Sequence, residues 1–287
     1  MKILHTVAAC SEALDAERRA GRVVGLVPTM GALHDGHASL VERAAAECDV
    51  VAVTVFVNPL QFGAGEDLDA YPRTLDADVK LAEQAGATIV FAPTVLEMYG
   101  EGTATAVAVA SSMTGVLEGA SRPGHFDGVT TVVAKLFAMA GRCRAYFGEK
   151  DFQQLAVVRR MARDLSFPVE VVGCPTVRAD DGLALSSRNA YLSEEERAAA
   201  PVLHRALRAG VEAVLAGADG AAAMAAVLAT EPLVRPDYAV VVDAATLATP
   251  GVGSGELRLL VAARLPSARL IDNLGVTVAD GMHRKDD

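Results

Sequence analysis

Along the first two thirds of the chain, short β-branched apolar runs alternate with longer stretches of helical periodicity. Val23 to Val27 is an apolar run that ends at Pro28 and leads through a glycine-containing loop into a helix-like stretch, His37 to Glu47. Val50 to Val57 follows as a strand of the fully buried kind, closed by Asn58-Pro59. This order predicts a βαβ unit, and such units assemble into a parallel sheet through right-handed crossovers. The same rhythm predicts a helix over Thr74–Ala85, a strand over Thr88–Ala92, a helix over Val129–Ala140 and a strand over Arg144–Phe147. A helix over Asp151–Leu165 and a strand over Val169–Val172 continue it.

After Pro175 the pattern changes. Ser193-Glu194-Glu195-Glu196 is a capping box expected to open one long Ala-rich helix, and a second Ala-rich segment runs from Gly220 to Thr230. Tyr238–Val242, Leu257–Ala263 and Leu270–Val278 read as three strands close enough for a small antiparallel sheet. The expected fold is therefore α/β: a first domain, residues 1–176, built on a parallel sheet with helices on both faces, and a smaller α+β C-terminal domain, residues 177–287, with a short antiparallel sheet. Met282 to Asp287 is expected to be a loose polar tail.

Composition narrows the function classes. With 287 residues, 52% hydrophobic and 22% charged, the chain is neither disordered nor fibrous. A net charge of −10 without any Lys/Arg run argues against nucleic acid or an anionic membrane as a partner and leaves room only for a local basic pocket. The longest apolar runs fall well short of the ~20 residues that span a bilayer. Cys10, Cys48, Cys143 and Cys174 form no Cys-x-x-Cys pair, which disfavours a zinc site and a disulfide framework and fits a reducing cytoplasm. Val7-Ala8-Ala9-Cys10 looks like a lipoprotein cleavage box, but the apolar stretch before it is too short and contains His5.

Ligands of open α/β sheets bind at the carboxyl ends of strands, so the loop Pro28 to His37 is the first place to look for chemistry. Gly31-x4-Gly36 has the glycine spacing of a P-loop, yet His37 and Ala38 stand where that motif needs Lys and Ser/Thr, and Gly-x-Gly-x-x-Gly is absent. What remains is His34-x-x-His37 on the first turn of a helix, where unpaired N–H groups and the positive dipole end attract phosphate. The plainer alternative is that both histidines only cap the helix. A second strand-end loop holds Gly148-Glu149-Lys150-Asp151 and then Gln153-Gln154; Lys150 and Gln154, four apart, are expected to share a helix face. A solvated helix start is the competing reading. In a third segment, Asp180 to Asn189, two hydroxyls and the Arg188 guanidinium suit phosphate recognition, or make an ordinary polar turn.

Taken in chain order, these segments resemble the pantoate–β-alanine ligase family, the pantothenate synthetases. His34-Asp35-Gly36-His37 resembles that family's version of the HIGH motif of adenylyl-transferring enzymes, and Leu185-Ser186-Ser187-Arg188 its counterpart of the KMSKS loop, with Leu185 where Met is common. Further resemblance lies in Val27–Gly31, Phe56–Phe62, Tyr71–Thr74, Arg122–Val129, Phe147–Asp151 and Ser186–Asn189. The resemblance implies a Rossmann-like nucleotidyltransferase domain with a C-terminal lid domain, a homodimer, and Mg²⁺ accompanying ATP. It implies condensation of (R)-pantoate with β-alanine through pantoyl adenylate. By resemblance His34, His37, Lys150, Ser186, Ser187 and Arg188 are catalytic, with His37 a proton donor or only a hydrogen-bond donor. Met30, Gly31, Gly36, Gly148, Glu149, Asp151, Val177 and Leu185 join them around ATP; Gln61 and Gln154 bind pantoate, and Gln61 also β-alanine. No metal ligands are assigned, and Arg122 is left between a site role and a subunit contact. A nucleotidylyltransferase with a phosphate nucleophile and a non-catalytic nucleotide-binding module are the competing functions.

Overall fold

The structure, a computed structural model, describes residues 1–63, 68–69, 71–102, 105–251 and 255–278; the expected tail Met282 to Asp287 lies outside them. It groups into two compact units, Met1–Glu149 with Gln153–Pro175, and Lys150–Phe152 with the chain from Thr176 onward.

The first unit runs β1 (Lys2–Leu4), α1 (Val7–Arg19), β2 (Val24–Thr29), α2 (Asp35–Glu47), β3 (Val50–Val55), α3 (Leu75–Gln84) and β4 (Ile89–Phe91). The short helices α4 (Val95–Tyr99), α5 (Ser111–Thr114) and α6 (Glu118–Ser121) follow, then α7 (His125–Ala140), β5 (Cys143–Gly148), α8 (Phe152–Asp164) and β6 (Val169–Cys174). The six strands form one parallel sheet in the order β1-β4-β3-β2-β5-β6. Side chains two apart share a face of a strand. Val27, Val51, Val53, Val90 and Tyr146 thus pack against Leu40, Val41 and Ala44 of α2, Ala82 of α3 and Ala85 just after it. The alternate residue Phe147 turns to the other face and meets Phe137 of α7 edge-on, ring centroids 6.3 Å apart.

The second unit holds α9 (Glu194–Ala199), α10 (Val202–Leu215), α11 (Gly220–Leu228) and the antiparallel sheet β7 (Arg235–Asp243), β8 (Glu256–Arg264), β9 (Arg269–Thr277), in that order. Leu203, Leu207, Met224 and Leu228 pack onto Leu259, Val261 and Leu270 to make its core.

Several boundaries differ from the sequence reading. The expected single helix from Ser193 breaks into α9 and α10 at Ala200-Pro201, because Pro201 has no N–H to continue the ladder. The helix expected from Val129 starts four residues sooner, behind Gly124 at φ +82°. The pattern also missed β1 and α1: α1 buries only Cys10 and Leu14, too short a stripe to register as periodicity. Cys10 thus lies inside a helix capped by Thr6.

Candidate functional site

Chain order marks where a ligand crevice is expected in the first unit. From β2 the chain proceeds to β3 and β4 on one side, whereas β5 and β6 lie on the other, so the topology switches between β2 and β5. Loops diverge at such a switch point, beyond the carboxyl ends of the two strands. The loops there are Met30–His34 and the turn entered at Gly148-Glu149.

His34 and His37 form a capping box built from imidazoles. His34 Nδ1 accepts from the Gly36 N–H at 3.1 Å, and His37 Nδ1 accepts from the His34 N–H at 3.4 Å, with the rings 4.2 Å apart. The capping expected as the plainer alternative is therefore present. A neutral imidazole that accepts at Nδ1 carries its hydrogen on Nε2, so capping fixes the tautomer and makes each Nε2–H a donor at the start of α2. Dipole and donors together suit an anion.

The loop that delivers these rings is held by Asp78, which sequence reasoning did not single out. Its buried carboxylate accepts from Leu33 N at 2.8 Å, from Ala32 N at 3.2 Å and from Thr74 Oγ1 at 3.2 Å. Gly31 has φ +87°, and a Cβ there would come within 2.9 Å of Asp78 Oδ2, so glycine is needed for both conformation and space. The available signal was that Asp78 shares the buried stripe of α3 with Ala82 and Ala85, where an apolar residue would otherwise stand.

Gln61 sits in the 3-10 turn Pro59–Gln61 after β3, which packs on α7. Asn58, fully buried, donates from Nδ2 to Gln61 Oε1 (3.1 Å) and Gly128 O (3.0 Å) and accepts at Oδ1 from Tyr99 Oη (2.7 Å) and Leu60 N (3.3 Å). Burial pushes the Tyr99 phenol up to about 12, so it remains a donor to Asn58 at neutral pH. With its amide oxygen held, Gln61 presents Nε2, which lies 2.8 Å from Met30 Sδ. Arg122 and His125 both donate to the Gln61 carbonyl, at 3.2 and 2.8 Å. Arg122 thus braces the Gln61 turn.

Gln153 and Gln154 have opposite fates on α8. Gln153 is buried and donates to Met113 O and Val116 O while accepting from Glu118 N. Gln154 is half-buried, and its side chain makes no hydrogen bond among the described residues. Lys150 precedes α8 in the 3-10 turn Glu149–Asp151 and groups with the second unit, so the four-residue spacing does not put Lys150 and Gln154 on one helix face. Gly148 ends β5 with open space where a Cβ would stand.

In the second unit, Val177–Leu185 folds back on itself: Leu185 N donates to Val177 O, Ala179 N to Leu183 O, and Arg178 bridges Ala184. Ser186, extended at φ −154°, accepts at Oγ from Arg188 N at 3.3 Å and opens the 3-10 turn Ser187–Tyr191. Lys150, Ala184, Ser186, Asn189 and Asp272 line one small cavity. Lys150 Nζ is 3.7 Å from Asp151 Oδ1. A larger groove in the first unit, lined by Met98, Tyr99, Thr131 and Lys135, contains none of the expected site residues. Among the described residues, no group of three or more His, Cys, Asp or Glu gathers as a metal cage.

The pantoate-beta-alanine ligase family profile matches residues 2–275. The pantothenate synthetase of Dinoroseobacter shibae is 57% identical over 265 residues, 90% of this chain and 93% of that protein. The crystal structure of pantothenate synthetase from Thermus thermophilus superposes with a TM-score of 0.89 at 54% identity, covering 96% of this chain and 99% of that one. The pantoate-beta-alanine ligase from Francisella tularensis, crystallised with beta-gamma ATP and beta-alanine, matches at TM-score 0.79 and 30% identity over 96% and 97% of the two chains.

Proposed function

The chain belongs to the pantoate-beta-alanine ligase family, and from that premise we propose that it condenses (R)-pantoate with β-alanine at the expense of ATP, through a pantoyl-adenylate intermediate. A pantoate carboxylate oxygen attacks the α-phosphorus and pyrophosphate leaves. The β-alanine amine then attacks the acyl carbonyl, AMP leaves, and pantothenate forms with release of a proton.

The observation that carries the reading is the imidazole capping box at the start of α2, beside the β2/β5 switch point. The substrate carboxylate is itself the nucleophile, so the protein must position the reactants and stabilise charge growing on phosphate oxygens. In this reading His34 and His37 supply Nε2–H donors, and Lys150, Ser186, Ser187 and Arg188 supply further donors. Backbone at Met30, Gly31, Gly36, Gly148, Glu149, Asp151, Val177 and Leu185 completes the nucleotide contacts in this reading. The Nδ1 bonds favour hydrogen-bond donation by His37 over proton transfer, since protonating Nδ1 would break the cap. Gln61, with Oε1 engaged by Asn58, offers N–H to pantoate and β-alanine, and Gln154 offers its amide to pantoate without placing charge beside the nucleophile. Mg²⁺ bound to ATP neutralises triphosphate charge. The working form is a homodimer, and the four free thiols fit a reducing cytoplasm; among the described residues no helix is long and apolar enough to cross a membrane.

Pantoate-dependent exchange of labelled pyrophosphate into ATP, followed by β-alanine with detection of AMP and pantothenate, tests both half-reactions. A folded, ATP-binding preparation that shows no exchange with pantoate would discard the reading. Transfer to a phosphate acceptor instead would favour a nucleotidylyltransferase.

A further inference from the structure

Asn273 stands in the middle of β9, 1% exposed, where a neutral amide is a poor strand former and costly to bury unless both its ends are bonded. Both ends are. Nδ2 donates to the Lys150 carbonyl at 2.8 Å, and Oδ1 accepts from Arg258 Nε at 2.6 Å. The Arg258 guanidinium in turn lies over the Phe152 ring, 4.2 Å from its centroid. Leu259, Val261, Leu270 and Leu274 on the facing strands join the core under α10 and α11, so alternation places Arg258 and Asn273 on the opposite face of the sheet. A Cβ on Gly275, the register partner of Arg258, would approach Arg258 Nη1 to 3.0 Å; glycine there leaves the guanidinium room to lie flat.

The neighbouring Asp272 faces the other way. It binds Arg178 through two oxygens at 2.6 and 2.9 Å, and Arg178 also donates to Gly182 O, bracing the hairpin that ends in Leu185-Ser186-Ser187-Arg188. Two adjacent residues of one strand thus hold both segments that carry the second unit's phosphate donors, and Lys150 and Ser186 line one cavity.

We propose that Asn273 is a positioning residue for Lys150: by gripping the Lys150 carbonyl, with Arg258 clamped on Phe152, it sets the direction in which the lysine side chain meets the phosphates. The proposal rests on the adenylate-forming reading above. Lys150 has a long, flexible stem, and a misplacement of about 1 Å at a reacting group costs on the order of 100-fold in rate.

Asn273→Asp keeps the acceptor for Arg258 and removes the donor to Lys150. Its expected effect is a fall of roughly 30- to 100-fold in kcat of pantoate-dependent exchange with little change in KM for pantoate. A residue acting through Lys150 is non-additive with it. In a Lys150→Ala background Asn273→Asp should therefore lower the residual rate less than about threefold, and Phe152→Leu should behave likewise should the aspartate variant fold poorly. Equal fold-losses with and without Lys150 would mean a merely structural role and overturn the proposal, as would an unchanged kcat. Wild-type exchange is the control that separates the two readings: its absence overturns the ligase function, whereas its presence with additive variants overturns the Asn273 role alone.

Discussion

Gly128 lies in the buried first half of α7, where the helix crosses the turn that carries Gln61. A Cβ at this position would fall 2.1 Å from Leu60 O, 2.3 Å from Leu60 C and 2.5 Å from Gln61 N, all backbone atoms that cannot rotate away. An ordinary C···O contact is about 3.3 Å, so Gly128→Ala must drive the helix and the turn apart by roughly 1 Å. Overpacking of this kind costs about 1–3 kcal/mol, from which the better helix propensity of alanine recovers up to ~1 kcal/mol. The variant should therefore fold, with its urea midpoint shifted by a net loss of up to about 2 kcal/mol. The same displacement weakens the Asn58 bonds to Gly128 O and Gln61 Oε1, and so moves the amide proposed to bind pantoate. Pyrophosphate exchange at varied pantoate should fall on the order of 100-fold, while ATP binding by titration stays near wild type. A variant as stable as wild type with the same pantoate dependence would refute the reasoning, because it would mean that the helix and turn are not in contact.

Asp78→Asn leaves one acceptor for the two loop amides of Ala32 and Leu33 and aims an NH₂ at the other. A buried N–H without a partner costs about 1–3 kcal/mol, so denaturant unfolding should show that loss, with slower exchange as the His34 loop relaxes. Lys150→Ala should cut single-turnover adenylate formation by about two to three orders of magnitude with little change in thermal midpoint, since its side chain is partly exposed and its ion pair with Asp151, at 3.7 Å, is weak. His204 is held below the ordinary histidine value, first by burial and then by the Arg178 charge, with Asp272 opposing and Arg208 adding to the fall. The unfolded chain then binds the extra proton as pH drops through about 6.5, so this group's contribution is intact above that pH and is lost below it. Replacing His204 by Gln should flatten the acid limb of a stability–pH curve measured by urea unfolding; an unchanged limb would rule out His204 as its source.

What the chain determines locally was legible in it. Apolar runs such as Val50–Val55 and stripes such as Leu40, Val41 and Ala44 specify a parallel α/β layer because the periods 2 and 3.6 each bury one face. The three C-terminal strands were equally clear, and the His34-x-x-His37 spacing pointed to the start of a helix. Long-range pairing was not legible. Asp78 reaches 45 residues back to the Leu33 amide, and Asn273 reaches 123 residues back to the Lys150 carbonyl; an apolar stripe hints that Asp78 is buried, but nothing local names the group either residue bonds. Only the folded arrangement separates Gln153, bonded to the backbone around α5 and α6, from Gln154 beside it. The same holds for the break at Pro201, and for the assignment of Lys150 to the C-terminal unit although it closely follows β5. Periodicity is written in neighbours along the chain, whereas a hydrogen-bond partner is chosen by where the chain returns, and that is a property of the tertiary structure.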